Sequence, residues 1–183
     1  QSNWNGIVGD IYVEAKERIY IKDLTLTPDI REKSVRVMAT VVNNLENGEE
    51  IQLTAKAASL GSTGETEMTG DISGEPIVRN IQLEKGENEV ELKYELGDDA
   101  LLWDEFDPAL YRLEVQISND DLESAYTEAF GLREIKMENN QLLINNRKLF
   151  LRGTLECAIF PKTGFPATDV KEWRRIYSVI KSH

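Results

Sequence analysis

Apolar and polar residues alternate in short runs along the first 135 residues, and no other feature constrains the fold as strongly. A period of two is that of a β-strand with one buried face and one exposed face. The alternation is clearest at residues 35–41, 51–57, 90–94 and 111–117. This part of the chain is therefore predicted to form strands rather than helices.

Turn-forming residues separate these runs. The separating segments are 27–29 (Thr-Pro-Asp), 46–48 (Glu-Asn-Gly), 85–87 (Lys-Gly-Glu) and 118–120 (Ser-Asn-Asp). About seven short strands with such breaks predict a mainly β fold, an antiparallel β-sandwich of immunoglobulin-like type. Segment 61–75 contains four glycines and two serines, and we expect it to be a mobile surface loop.

Residues 138–183 have a different pattern. Asn145 and Asn146 lie between two apolar segments and predict a hairpin turn, because asparagine tolerates positive φ. The apolar segment 149–151 then predicts a strand that stops at Gly153. A connection that contains prolines follows this strand.

A helix is predicted after this connection. Asp169 is a favourable N-cap, and Glu172 three residues later completes a capping box. One apolar face is formed by Trp173, Ile176, Tyr177 and Ile180. Because one strand and one helix cannot close a core, we expect a chain cut from a longer protein. The alternative is that this segment docks on the sandwich.

The charge balance excludes several partners. Lys and Arg number 21 against 33 Asp and Glu, which gives a net charge of −12 and a pI near 4.6. Neither nucleic acid nor a membrane is expected as a partner, because an acidic surface repels phosphate and no apolar run approaches roughly 18 residues. Residues 1–137 carry 29 acids and 13 bases (net −16), whereas 138–183 carry 4 acids and 8 bases (net +4). This change of sign suggests two pieces with different surroundings.

Few residues are suited to metal or cofactor chemistry. The single cysteine, Cys157, excludes an internal disulfide framework, and the single histidine, His183, excludes a histidine-based triad within the chain. Acidic residues cluster at 95–107 without the spacing of an EF-hand, so a solvated loop is the simpler interpretation. No cofactor and no metal site is predicted.

Four segments, in order along the chain, resemble motifs of one enzyme family. They are residues 4–13 (Trp-Asn-Gly-Ile-Val-Gly-Asp-Ile-Tyr-Val), 102–113 (with Leu-Trp, Pro and Leu-Tyr-Arg-Leu), 130–135 (Phe-Gly-Leu-Arg-Glu-Ile) and 143–153 (Leu-Ile-Asn-Asn-Arg-Lys through Arg-Gly). Together they are similar to the middle section of glycoside hydrolase family 2, the β-galactosidase and β-glucuronidase family. The resemblance covers nearly the whole chain.

The resemblance implies three parts. Residues 1–16 would be the exit of an N-terminal jelly-roll domain, 17–137 the immunoglobulin-like sandwich, and 138–183 the first strand and helix of a truncated (β/α)8 TIM barrel. The full-length enzyme would hydrolyse O-glycosyl bonds of a carbohydrate substrate with retention, using two glutamates. Matching assigns neither glutamate to this chain, which alone is expected to be inactive. The sandwich would be a structural spacer between the sugar-binding and catalytic domains.

Three residues could lie beside the substrate. Arg152 and Glu156 follow the presumed first barrel strand, at the end where barrel active sites form. Arg152 could instead be a structural ion-pair partner, and Glu156 could be structural too. Cys157 stands where many β-galactosidases have a histidine, so it could line the pocket or be a small buried residue. The departure puts specificity for galactose in doubt.

The tryptophans also have two interpretations. Trp4, Trp103 and Trp173 could stack on sugar rings. Alternatively, Trp173 belongs to the core and Trp103 packs at the end of the sandwich, whereas the role of Trp4 stays open.

A second hypothesis is a free-standing immunoglobulin-like carbohydrate-binding or adhesion module, since sandwiches support many functions. A homodimer or a swapped contact is expected if the apolar helix face is exposed. For the full-length enzyme, the resemblance favours a periplasmic or extracellular bacterial location over a cytoplasmic one.

Overall fold

The structure is a computed structural model that describes residues 7, 9–61, 72–153, 155, 160 and 162–182. The chain divides into two compact units. One is Ala15–Phe150, and the other combines Gln1–Glu14 with Leu151–His183. This division falls after residue 150, whereas the sequence places a boundary after 137; the three-part organisation of the enzyme stays a prediction.

The unit Ala15–Phe150 consists of strands. In the described residues they are β1 (Ile19–Asp29), β2 (Ser34–Asn43), β3 (Glu49–Gly61), β4 (Ile72–Leu83), β5 (Gly86–Glu95), β6 (Leu110–Ser118), β7 (Glu123–Phe130), β8 (Ile135–Glu138), β9 (Gln141–Ile144) and β10 (Arg147–Lys148).

Strands β1–β7 form a two-layer antiparallel sandwich. One sheet has the order β1-β2-β5, and the other has the order β4-β3-β6-β7. This order matches an immunoglobulin-like fold in which the fourth strand pairs with the third. The predicted fold class, mainly β with an antiparallel sandwich, is confirmed. Strands β8–β10 form a separate small antiparallel sheet.

The core lies between the two sheets, and it contains the apolar members of the predicted runs. Burial alternates strictly along β6, where Tyr111, Leu113, Val115 and Ile117 are buried and their neighbours are half-buried. The largest fully buried side chains are Tyr94, Ile19, Ile51, Leu53, Leu83, Leu113, Ile117, Leu132, Ile144, Val35, Val37 and Val41. Burying one such side chain contributes about 1.5–3 kcal/mol, so this layer dominates the stability of the unit.

The predicted loop 61–75 is wrong at its C-terminal end, because β4 begins at Ile72. Ile72 and Ser73 pair with Ala58 and Ala57 of β3. Gly74 has φ of 77°, and a Cβ there would meet the carbonyl oxygen of Glu95 at 1.8 Å. The glycine is therefore required by a close backbone approach inside a strand, although its local sequence resembles a loop. Residues 62–71 lie outside the described part.

Two asparagine pairs form the turns of the small sheet. Asn145 and Asn146 have φ of 49° and 66°, which confirms the predicted hairpin turn. Asn139 and Asn140 have φ of 48° and 62° and connect β8 to β9 in the same way. Positive φ at both central residues is typical of type I′ turns, which suit the twist of paired strands.

The second unit contains helix α1 (Val170–Lys181). The Asp169 carboxylate accepts a 2.8 Å hydrogen bond from the Lys171 N–H, which confirms the predicted N-cap. The Glu172 carboxylate does not complete the predicted capping box, because it bonds to Arg175 at 2.6 and 3.0 Å. No helix in the described residues is long and apolar enough to span a membrane.

The predicted strand at 149–151 is wrong in this structure. Strand β10 ends at Lys148, and residues 149–153 have no regular secondary structure. A parallel strand needs hydrogen-bonded neighbours, and an apolar run alone does not provide them. Whether this segment begins a barrel stays a proposal.

Candidate functional site

Arg152 is exposed and belongs to the same unit as α1. It lies with Gly153 at a mainly apolar groove whose other lining residues are Trp173, Ile176, Tyr177, Ile180 and Lys181. Glu156 and Cys157 lie outside the described residues, as does Trp4. Arg152 alone of the three predicted substrate-adjacent residues lies within the described part, and the grouping of the three beside a substrate stays a prediction.

Trp173 organises this groove. Its indole Nε1 donates a 2.7 Å hydrogen bond to the Ala167 carbonyl. Its ring contacts Phe160 edge-on, with centroids 5.9 Å apart, and stacks on Tyr177 at 5.8 Å. The prediction that Trp173 is a core residue is wrong in this structure. Its side chain is half-buried, and no residue of α1 is buried. The apolar face predicted from the sequence is present but largely uncovered.

The carboxyl groups with a clear pKa shift are unsuited to general acid catalysis. Within the described residues, the pKa values of Asp29, Asp104, Glu105 and Glu172 all lie below their usual range. Backbone N–H groups are the main cause at Asp29 and Asp104, whereas Arg147 and Arg175 are the main cause at the two glutamates. A general acid at neutral pH needs the opposite shift.

The acidic loop after β5 is held by its own hydrogen bonds. The Asp104 carboxylate accepts bonds of 2.8 and 2.9 Å from the N–H groups of Phe106 and Asp107. Across the described residues, no three His, Cys, Asp or Glu side chains are grouped so that they could hold a metal ion. This loop is therefore a turn in which the Asp104 carboxylate caps two backbone N–H groups.

Trp103 lies at the end of the sandwich, where it joins the small sheet. Its backbone N–H donates a 3.0 Å hydrogen bond to the Leu132 carbonyl, and the guanidinium of Arg133 lies 4.3 Å from the centroid of its indole ring. A Cβ on Gly131 would lie within 2.7 Å of the Trp103 side chain, so the ring needs a glycine beneath it. This position confirms the prediction that Trp103 packs at the sandwich end.

Two residues that the sequence did not single out for any site contact the loop between β5 and β6, which carries Trp103. They are Asn145 and Arg147. The Asn145 side chain donates a 3.0 Å bond to the Trp103 carbonyl and accepts one of 3.0 Å from the Glu134 N–H. Arg147 makes two parallel bonds to the Glu105 carboxylate, at 3.1 and 2.9 Å. In the sequence, Asn145 was visible as a turn residue, and the acidic residues at 95–107 were visible as a cluster that an arginine could pair with. Neither feature specifies which distant residue is the partner.

Comparison with known proteins places this architecture among glycosidases. A family model described as glycosyl hydrolases family 2 matches residues 19–133, which cover the sandwich. A β-galactosidase of Alteromonas mediterranea is 26% identical over 161 residues, covering 84% of this chain and 15% of the relative. A β-glucuronidase of Streptococcus agalactiae is 39% identical over 56 residues, covering 30% of this chain and 9% of the relative.

Solved structures agree with the sequence comparison. A Bacteroides uniformis β-glucuronidase superimposes with a TM-score of 0.71 at 18% identity, over 90% of this chain and 20% of that one. A glycosyl hydrolase family 2 member from Bacteroides cellulosilyticus gives 0.62 at 15% identity, over 72% and 17%. At such identities the likeness shows the fold.

The fold and the family match together define a glycosidase sandwich domain. The chain belongs to glycosyl hydrolases family 2. It spans 15% and 9% of the length of the two curated relatives described above. The resemblance stated from the four sequence motifs is thereby confirmed.

Proposed function

We propose that this chain is a non-catalytic internal part of a retaining family 2 glycoside hydrolase, in which the sandwich is a spacer between a sugar-binding and a catalytic domain. The observation that carries the proposal is the family match across residues 19–133, on a chain that spans 15% of a β-galactosidase. The relatives' names make a β-galactoside or a β-glucuronide the carbohydrate substrate of the full-length enzyme.

The described carboxylates support a role outside catalysis. Retaining hydrolysis needs two carboxyl groups about 5–5.5 Å apart, one of them a proton donor in the first step. The carboxyl groups with shifted pKa values are held in the ionised form by arginines or backbone N–H groups. Each is a good ion-pair or capping partner and a poor general acid.

Segment 138–183 is proposed to begin a TIM barrel, with Arg152, Glu156 and Cys157 close to the substrate in the complete enzyme. The apolar face of α1 supports this proposal, because barrel helices cover an inner sheet with such a face. The exposed position of Arg152 is consistent with a polar contact rather than with a buried ion pair.

A sandwich that binds sugar by itself is less well supported. One groove on the sandwich that carries several charged residues is lined by Thr27, Pro28, Asp29, Ser34, Arg36, Arg79, Glu91, Leu92 and Lys93. Two of its cationic side chains already make contacts: Arg79 donates a 2.7 Å bond to the Glu91 carbonyl, and Lys93 pairs with Glu32 at 3.2 Å. A ligand would have to displace these contacts.

Activity assays test the proposal. A cooperative urea unfolding transition first shows that this chain is folded. We then expect it to release no nitrophenol from nitrophenyl β-galactoside or β-glucuronide and to bind neither sugar in calorimetry. The product of the complete gene should hydrolyse one of them, and NMR should show the β-anomer as first product. Turnover by this chain, or a complete gene product inert toward both glycosides, would overturn the proposal.

A further inference from the structure

The small sheet β8–β10 is attached to the sandwich through the loop between β5 and β6. Ile144 of β9 is only 1% exposed, and Leu132, just before β8, is fully buried. The Asn145 N–H donates a 2.9 Å bond to the Glu134 carbonyl, which anchors the β9–β10 turn to the chain entering β8. The small sheet and the sandwich belong to the same compact unit.

Asn145 bonds in two directions from the tip of this turn. Its side-chain oxygen, Oδ1, accepts a hydrogen bond from the Glu134 backbone N–H, and its side-chain nitrogen, Nδ2, donates one to the Trp103 backbone carbonyl, each at 3.0 Å. The residue makes both bonds from a backbone conformation with φ of 49°. Asparagine tolerates this conformation and supplies both a donor and an acceptor, which few residues do.

Arg147 makes a second attachment two residues later. Its guanidinium forms the fork with Glu105, lies 3.5 Å from an Asp104 carboxylate oxygen, and sits 5.6 Å from the Phe106 ring centroid. Bidentate arginine–carboxylate pairs fix relative orientation as well as distance. Asp104 in turn caps the same loop, so the guanidinium meets a rigid partner.

We infer that Asn145 and Arg147 are positioning residues of a latch, defined by these two side chains with Trp103, Glu105 and Glu134, that holds the small sheet in one orientation on the sandwich. The latch sets the direction in which the chain leaves β10. Its use, to aim the next domain, rests on the proposed function; its existence in this chain does not.

Hydrogen exchange of the intact chain tests the latch. Asn145→Gly keeps the positive φ but removes both side-chain bonds, so the Glu134 amide, which loses its acceptor, and the Trp103 amide in the tethered loop should exchange about tenfold faster. Asn140→Gly, in the other turn at φ 62°, is the matched control for glycine entropy and should change the same amides less than about threefold. Strands β2 and β6 should be unaffected in both variants.

The ion pair is tested by exchange of charges. Glu105→Arg and Arg147→Glu should each speed exchange across residues 101–109, whereas the double variant should recover to within about threefold of wild type. Recovery separates a specific pair from a general loss of packing. A double variant no slower in exchange than the worse single variant would remove Arg147 from the latch.

The orientation of the small sheet on the sandwich is measured from the distance between two spin labels. One label replaces Asn47 on the sandwich and the other replaces Lys148 on β10, both exposed positions, in a Cys157→Ser background. Wild type should give a narrow distance distribution that broadens in Asn145→Gly and stays narrow in Asn140→Gly. Equal widths in all three, or exchange that rises equally across every strand, overturns the inference. Because no glycoside is present, an inactive parent enzyme would refute the proposed function and leave the latch standing.

Discussion

The hydroxyl of Tyr94 accepts a 3.1 Å hydrogen bond from the backbone N–H of Ala57, across the interior of the sandwich. The same hydroxyl donates a 2.9 Å bond to the Ser73 carbonyl. Tyr94 lies on β5 in one sheet, whereas Ala57 and Ser73 lie on β3 and β4 in the other. The register of β3 and β4 shifts between Ala55 and Ala57, so the tyrosine serves backbone groups at an irregularity of the ladder.

Tyr94→Phe should destabilise the sandwich by about 1–3 kcal/mol, because it leaves a buried N–H and a carbonyl without this partner. Urea unfolding followed by circular dichroism measures the change. Tyr177→Phe, on a ring that is 56% exposed, is the control and should stay within about 0.5 kcal/mol of wild type. Equal effects of the two substitutions would show that the bridge contributes nothing.

Alkaline pH should weaken the wild type more than Tyr94→Phe. Burial raises the pKa of Tyr94 above its ordinary value of 10.0, so the unfolded chain loses that proton first. The stabilisation is therefore fully present below about pH 10 and declines as pH rises through the folded-state pKa. Urea midpoints from about pH 9 to about pH 11 should fall more steeply for wild type. Parallel slopes would contradict this.

Gly74→Ala should cost more stability than Gly97→Ala. Both glycines have positive φ, 77° and 91°, so both substitutions carry backbone strain of roughly 1–2 kcal/mol. At Gly74 the new Cβ also meets the Glu95 carbonyl oxygen at 1.8 Å, whereas nothing lies within 4 Å at Gly97. Thermal unfolding should place the Gly74 variant clearly below the Gly97 variant. Equal midpoints would mean that β4 moves aside without cost.

Acid should release the loop that carries Glu105 before the sandwich unfolds. Hydrogen bonds from Arg147 lower the pKa of Glu105, and backbone N–H groups lower that of Asp104. Their stabilisation is present above the unfolded-state values near 4 and is lost as pH falls through the lower folded-state values. Protection factors of the amides at residues 101–109, corrected for the intrinsic exchange rate at each pH, should fall in this window in wild type. In Glu105→Gln the fall should be smaller, and Glu138→Gln, on exposed β8, should behave as wild type.

Local patterns predicted the sandwich because its strands bury one face each. In β6 the sequence period of two is the burial period, so each apolar residue is a core residue. The turn at Asn145 and Asn146 was likewise predicted, since the tolerance of positive φ belongs to the residue; Asn139 and Asn140 carry the same local signal, although no turn was predicted there. Where the determinant is local, sequence was enough.

Nonlocal determinants could not be predicted. Ile72 and Ser73 form a strand because β3 lies beside them, although their neighbours read as a loop. Segment 149–151 is apolar yet forms no strand. The bond from Asn145 to Trp103 joins residues 42 positions apart, and no motif encodes that pairing. For Glu156 and Cys157, the sequence stays the basis of their proposed site.

The apolar groove on α1 should cause self-association of this chain. Tyr177 and Ile180 of this groove are 56% and 45% exposed. Burying such side chains against a second copy would remove apolar area from water, worth about 25 cal/mol per Å². Sedimentation over a hundredfold concentration range should show a mass increase that Ile180→Glu suppresses. Val78→Glu, at a site 59% exposed on β4, is the control and should associate as wild type does. A monomer at every concentration would contradict the predicted dimer.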